Sequence, residues 1–245
     1  MLAEFIDRII SLSTPEIKKL NGRFYGNSDV KVIPELDDLP EQLRVHSLDS
    51  VVKLIDQEHT GLPSPLFISI QNYNLVSVFS DYNMNFIDDT PKYKRYNLCS
   101  SVCENVNVFD ELVMEHEEAM INLRACFVQG EGTAYLLDLL SSVSEEEGVQ
   151  QKDNGLTQTV TVKKGISLVE RVGVKPRVLL APYRTFREVE QPASEFLVRV
   201  LGGSRIMLKE ADGGMWQLEA KRRIKAYFDE KLKDLIDEKK IVVMS

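Results

Sequence analysis

Between Leu180 and Ala220 the chain reads LAPYRTFREVEQPASEFLVRVLGGSRIMLKEADGGMWQLEA, and this stretch leaves little freedom in the architecture. Phe196 to Leu201 and Arg205 to Lys209 alternate in character on either side of Gly202-Gly203-Ser204, which predicts a tight antiparallel hairpin. Asp212-Gly213-Gly214 then breaks the chain. It opens a helical stripe of Trp216, Ala220, Ile224, Tyr227, Phe228, Leu232, Leu235 and Ile236. Glu219 with Arg223, and Asp229 with Lys233, stand at i,i+4 spacing on its other face. A hairpin followed at once by an amphipathic helix must bury both apolar faces. The expected class is therefore α+β, with an antiparallel sheet packed by a long C-terminal helix.

Upstream, the start MLAEFIDRIISLSTPEIKK predicts an amphipathic helix through Leu2, Phe5, Ile6, Ile9 and Ile10, and with acids at Glu4 and Asp7 it reads as that helix in place of a signal peptide, which has a basic start and a continuous apolar core. Phe24-Tyr25 and Val30 to Ile33 suggest short strands. Ser47 caps a predicted helix from Leu48 that Gly61, Pro63 and Pro65 end. Residues 66–82 form a predicted hairpin about Asn72-Tyr73-Asn74, and Tyr93 to Val102 a further strand. His116, Met120, Leu123 and Phe127 mark one face of a helix, and Thr133 to Val143 a second one. The acidic segment Ser144 to Asn154 then suggests a division into a mixed helical and hairpin region, 1–145, and a β-rich region with the terminal helix, 146–245, which can also be continuous. Thr157 to Val162, Ile166 to Val174 and Arg177 to Leu180 are predicted strands, and Ile241 to Met244 an edge strand of this molecule's sheet or of a neighbour's.

An apolar share of 43% and no long apolar run indicate a soluble protein with no membrane partner. Cys99, Cys103 and Cys126 are odd in number and sparse, which fits a reducing compartment and a cytoplasmic location. The net charge of −8 is unevenly spread: residues 1–150 hold 25 acids and 11 bases, residues 151–245 hold 13 and 19. Halves of opposite sign favour contact within the chain, between copies or with an anionic partner, and surface lysines without partners explain part of the excess.

The runs APYRTFREVEQPASEFLVRV and EADGGMWQLEAKRRIKAYFDEKL, supported by HEEAMINLRACFVQGEG and NGLTQTVTVKKG, resemble the YfdQ-like family of bacteriophage and prophage proteins, a domain of unknown function. The resemblance covers roughly residues 105–245, with LRVHSLDSVVKLI the clearest piece before it. It implies a protein encoded by a phage or prophage that acts in the bacterial host cytoplasm. It carries over no catalytic residue.

For chemistry, Tyr183, Arg184 and Arg187 beside Pro182, with Lys209, Gly213 and Gly214 at the helix entry, are the candidate residues for binding an anion or a partner. The competing expectation pairs Arg184 and Arg187 with Glu188, Glu190 or Glu195. Glu188, Glu190, Glu210 and Asp212 can assemble a Mg²⁺ site, though Asp212 is equally a capping residue. His46, His59 and His116 lack ligand spacing, and Cys99 with Cys103 lack further zinc ligands, so no metal and no cofactor is expected. Gly130-Glu131-Gly132 precedes a helix but follows another, which predicts a helix–helix turn in place of a phosphate loop. Trp216, Tyr227 and Phe228 are expected in the core, and Tyr183, Arg184 and Phe186 as exposed contacts.

No catalytic constellation emerges. The reading is a non-enzymatic, self-associating binding protein serving phage takeover or replication, its partner a host protein or an anionic ligand. The alternatives are a Mg²⁺-dependent enzyme acting on nucleic acid or nucleotides, and an acidic nucleic-acid mimic directed at a host defence protein.

Overall fold

Val198, Val200, Ile206 and Leu208 alternate with Leu197, Arg199, Met207 and Lys209, and the chain turns that alternation into two paired strands with one buried face. The computed structural model describes residues 17–20, 23–26, 32–33, 42–58, 65–87, 90–142, 152–153, 158–164, 168–202 and 205–245. Of these, residues up to 33, residue 58, and residues 81–87, 90–96, 152–153, 160–164 and 168–172 are described by their backbone alone. Two compact units result, Met1–Glu41 and Gln42–Ser245.

In the first unit β1 (Ile17–Leu20), β2 (Arg23–Gly26) and β3 (Val32–Ile33) form an antiparallel sheet in that order. The helix expected through Lys19 therefore does not reach Ile17: Pro15 lacks the N–H that would continue it. Its apolar stripe, Leu2 to Ile10, lies outside the described residues.

The second unit begins with β4 (Leu43–Val45), α1 (Leu48–Glu58), β5 (Leu66–Asn72), β6 (Leu75–Ile87) and β7 (Thr90–Val102). Next come β8 (Glu111–Met114), α2 (His116–Ala125), α3 (Glu131–Ser142), β9 (Lys152–Asp153), β10 (Gln158–Lys164) and β11 (Leu168–Val174). It ends with β12 (Arg177–Leu180), β13 (Ser194–Leu201), β14 (Arg205–Glu210), α4 (Met215–Lys231), α5 (Lys233–Asp237) and β15 (Ile241–Met244). The class is α+β. One sheet has the order β12-β13-β14-β8 and is antiparallel throughout; a second, β15-β5-β6-β7-β4, is antiparallel inside and parallel at both edges; β11-β10-β9 is a small third.

Each large sheet buries one face against helices. Helices α2 and α3 cover β12-β13-β14-β8 through Leu123, Leu136 and Leu140, which meet Phe196, Val198, Ile206 and Leu208 in a first core. In a second core, Val51 and Ile55 of α1 and Ile224 and Phe228 of α4 cluster with Ile68, Val76, Val78 and Cys99 of the other sheet. Each large side chain so buried contributes about 1.5–3 kcal/mol of transfer free energy. Local signals hold at the edges: Ser47 Oγ accepts the Ser50 N–H at 3.2 Å at the head of α1, and Asn72 Oδ1 accepts the Asn74 N–H at 2.9 Å in the β5–β6 turn.

Sheet β12-β13-β14 recruits β8 from before residue 145, and β15 pairs with β5, so the compact unit is continuous across 145/146, as the sequence also allowed. Three expectations change. The long terminal helix, expected to pack the antiparallel sheet it follows, sits in the second core, and α2 and α3 cover that sheet instead. Helix α2 stops at Ala125, and Phe127 packs in the first core from a bridge to Pro182. The terminal helix breaks at Leu232, whose φ of −113° leaves the helical region while its side chain stays buried, and Asp229 pairs with Lys225 at 2.6 Å in place of Lys233. No helix among the described residues is long and apolar enough to cross a membrane, which says nothing of a β-barrel.

Candidate functional site

The loop between β12 and β13 has no period, so its side chains are placed by hydrogen bonds. Its backbone leaves β12 by pairing with residues 126–128: the Val128 N–H donates to Ala181 O at 2.9 Å and the Tyr183 N–H to Cys126 O at 2.8 Å. Gln191 then clasps the turn. Its Oε1 accepts the N–H groups of Arg184 and Thr185 at 2.9 and 3.1 Å, and its Nε2 donates to Phe186 O at 2.9 Å. Thr185 Oγ1 donates to Tyr73 O at 2.5 Å, and Glu188 Oε1 accepts the Leu48 N–H at 2.7 Å, capping α1 from 140 residues away.

That clasp turns Arg184 inward, where it is 0% exposed. Its Nη1 donates to Glu210 Oε1 at 2.5 Å, its Nη2 to Pro192 O at 3.0 Å and also to Ser194 Oγ, and its guanidinium lies 4.0 Å from the Trp216 ring centre. Tyr73 packs on Trp216 in turn, with ring centres 4.8 Å apart. Ser194 Oγ donates to Asp212 Oδ2 at 2.7 Å, and Asp212 accepts the N–H groups of Gly214 and Trp216 at 2.9 and 3.2 Å. Burial pulls the Arg184 pKa below its ordinary value, and the hydrogen bond and charge of Glu210, then Asp212, oppose that pull. Among the described residues, the buried Arg184 Nε finds no partner.

The six residues singled out in the sequence do not converge on one ligand. Arg187 stacks 3.8 Å over the Tyr183 ring. Arg184 and Gly214 are linked through Ser194 and Asp212, so the anion expected at this helix entry is the chain's own carboxylate; φ of 65° at Gly213 and 81° at Gly214 shape the turn that brings it there. Lys209 stands apart. Successive strand residues point to opposite faces, so Lys209 lies on the outer side of β14 while Glu210 faces Arg184. Lys209 Nζ reaches Glu111 at 3.1 Å, a hydrogen bond that, with the charge, raises its pKa.

Of the exposed contacts expected at Tyr183, Arg184 and Phe186, the last two are fully buried, because Gln191 folds the turn back into the core. The expected carboxylate partners are also redistributed: Arg177 takes Glu195 at 2.9 Å and Arg223 takes Glu190 at 3.3 Å. The Mg²⁺ candidates Glu188, Glu190, Glu210 and Asp212 thus each serve a different neighbour, and among the described residues no group of three or more His, Cys, Asp or Glu stands as a ligand set. Trp216 and Phe228 are buried as expected, and Cys99 and Cys103 pack in the second core. Burial first, and Glu188 next, push the Cys103 thiol up, away from a reactive thiolate.

Tyr227 donates its hydroxyl to Asp49 Oδ1 from α4 to α1. Burial, then that hydrogen bond and the Asp49 charge, raise its pKa well above the ordinary 10.0. The folded chain therefore keeps a phenol proton that the unfolded chain releases, and this contribution is lost as pH rises above about 10. Urea unfolding from pH 9 upward should show wild type falling faster than Tyr227→Phe; parallel curves would remove this contact from the stability of the fold.

Among the described residues, what the fold leaves open is the outer face of β12-β13-β14-β8, unmarked in the sequence because its apolar residues alternate with charged ones. Register sets Arg177, Leu197, Lys209 and Glu111 in one row and Arg199, Met207 and Val113 in the next, with Leu179 (65% exposed) and Arg205 at the margins. Arg177, Arg199, Arg205 and Lys209 stand there with the carboxylates of Glu111 and Glu195, the latter opposite Leu179, around an apolar centre. Beside it, at the start of α3, lies a groove of about 450 Å³ lined by Gly130, Thr133, Tyr135, Lys175, Arg177 and Leu179. Lys175 Nζ sits 4.7 Å over the Tyr135 ring, and the helix–helix turn expected at Gly130 to Gly132 is the groove's rim. Set against protein-family models, curated proteins and solved structures, the chain matches none of them.

Proposed function

We propose that this chain is a self-associating binding protein, encoded by a phage or prophage and acting in the host cytoplasm, that engages a host protein or an anionic ligand without catalysing a reaction. The observation that carries the reading is the division of labour among its polar residues. Arg184, Glu210, Asp212, Glu188 and Gln191 support the fold from within, whereas Arg177, Arg199, Arg205 and Lys209 surround Leu179, Leu197 and Met207 on an open face. Apolar residues ringed by charge are the usual make-up of a recognition surface. The cationic excess of the face suits a partner bearing carboxylates or phosphates.

Leu179→Asp with Arg205→Glu changes two exposed positions and should leave stability within about 0.5 kcal/mol. Purified wild type crosslinked in host lysate should capture a partner that this variant captures at least ~10-fold less, a loss of about 1.4 kcal/mol or more. Equal capture by both removes the face from the proposal. Mg²⁺-dependent turnover of DNA, RNA or nucleoside triphosphate by the purified protein would replace it with an enzyme.

A further inference from the structure

Ile241-Val242-Val243-Met244 forms β15, the end strand of the five-stranded sheet, held parallel to β5. In a parallel ladder one residue directs both its N–H and its C=O to the neighbour and the next directs both away. The Leu66 N–H donates to Lys240 O at 2.9 Å, which fixes the phase. Lys240, Val242 and Met244 face β5 with their main-chain groups; Ile241 and Val243 turn theirs to the open side, where no strand is paired among the described residues. Within these four residues there is no charge, proline or bulge of the kind that blunts an edge.

We infer that this edge is an isologous docking surface for a second copy of the same chain, joined antiparallel about a dyad through Val242. This rests on the self-association in the function proposed above. A strand laid antiparallel on itself about Val242 brings Ile241 opposite the other copy's Val243 and Val243 opposite its Ile241. These are the two residues whose N–H and C=O groups point outward, so both pairs are of the hydrogen-bonded kind and four main-chain bonds form.

The side chains agree with that register. Val242 is 40% and Met244 38% exposed on the outer face, and Val242 lies in register with Phe67, which lies in register with Phe79 and stacks on it at 5.7 Å. Across the dyad the row Phe79, Phe67, Val242 meets its own copy, and the two five-stranded sheets become one of ten. A partner of different sequence would match the main chain equally but would not reproduce this row, which is why the second copy is the occupant.

The test is the mass by light scattering over a dilution series from about 100 μM, a concentration that fills a dimer of micromolar Kd, down to about 1 μM, in low and in high salt, for wild type, Val243→Pro and Val242→Lys. Proline at 243 removes an outward N–H and no bond to β5. Lysine at the exposed position 242 sets two like charges across the dyad. Wild type should have the mass of two chains in both salts, and each variant should associate at least ~10-fold more weakly, with Val242→Lys unfolding as wild type does. A monomeric wild type overturns both this inference and the self-association it rests on. A dimer that survives both substitutions, or dissolves in high salt, overturns the edge alone and leaves self-association standing.

Discussion

Replacing Arg184 by Met should lower the unfolding free energy by about 3–5 kcal/mol, the cost of stripping one partner from a buried ion pair. Glu210, whose side chain is only 10% exposed, would lose the cation that neutralises it, and Ser194 Oγ and Pro192 O would lose a donor. The Trp216 ring would lose the guanidinium 4.0 Å from its centre. The effect runs from the first sheet to the second core, because Ser194 and Glu210 lie on β13 and β14, whereas Trp216 heads α4 and Thr185, next in sequence, holds the β5–β6 turn through Tyr73 O. Arg184→Met with Glu210→Met should recover part of the loss, since no unpaired charge then stays inside. Urea midpoints of the four proteins of that cycle measure it. A single variant within about 1 kcal/mol of wild type would mean that the arginine is a passenger in this core.

Gly132→Ala should also destabilise, by about 2–3 kcal/mol, although alanine favours a helix over glycine by about 1 kcal/mol. The two contributions have opposite signs, and distance decides between them. A Cβ on Gly132 would stand 2.1 Å from Leu179 O and 2.9 Å from Val178 Cγ1, and the carbonyl belongs to strand backbone that cannot swing aside. Helix α3 would have to lift from β12, taking Leu136 out of the first core and Thr133 out of its buried position. Gly130, two residues earlier, has nothing within 4 Å of its would-be Cβ. Gly130→Ala is therefore the control, expected within about 0.5 kcal/mol of wild type. If the two substitutions prove equal, the close approach of helix and strand is not what position 132 requires.

Much of the fold is legible in the chain itself, and the legible parts share a cause. The β13–β14 pair, the β5–β6 hairpin, α1 with its Ser47 cap and the stripe of α4 are each written as a period of two or 3.6, because a segment with one buried face records that face in its own sequence. Short partners leave no such record. β4 and β8 have three and four residues, too few for a period, and they take their place because a neighbouring strand offers an edge.

The candidate site was harder to read for a related reason. Pro182, Tyr183, Arg184 and Phe186 look like an exposed turn, since arginine beside proline usually is one. Gln191, seven residues on from Arg184, reverses that by taking two backbone N–H groups with one oxygen. Nothing in the spacing of the chain distinguishes a glutamine that does this from one in water. The open face of β12-β13-β14-β8 was hidden in the opposite way, since Leu197 and Met207 interleaved with charge look like half of an ordinary strand.

The sequence by itself determined the longer elements of the second unit, the fold class and the presence of a hairpin leading into a helix, because helix and strand periods follow from backbone geometry within a dozen residues. Only the tertiary structure decided which charges point inward, that Asp212 fills the anion position at the head of α4, that Glu188 caps α1, and that β15 returns to β5. Those outcomes depend on groups far apart in the chain meeting in a low-dielectric interior. There a polar group is kept only where another satisfies it, and the identity of that other is fixed by packing.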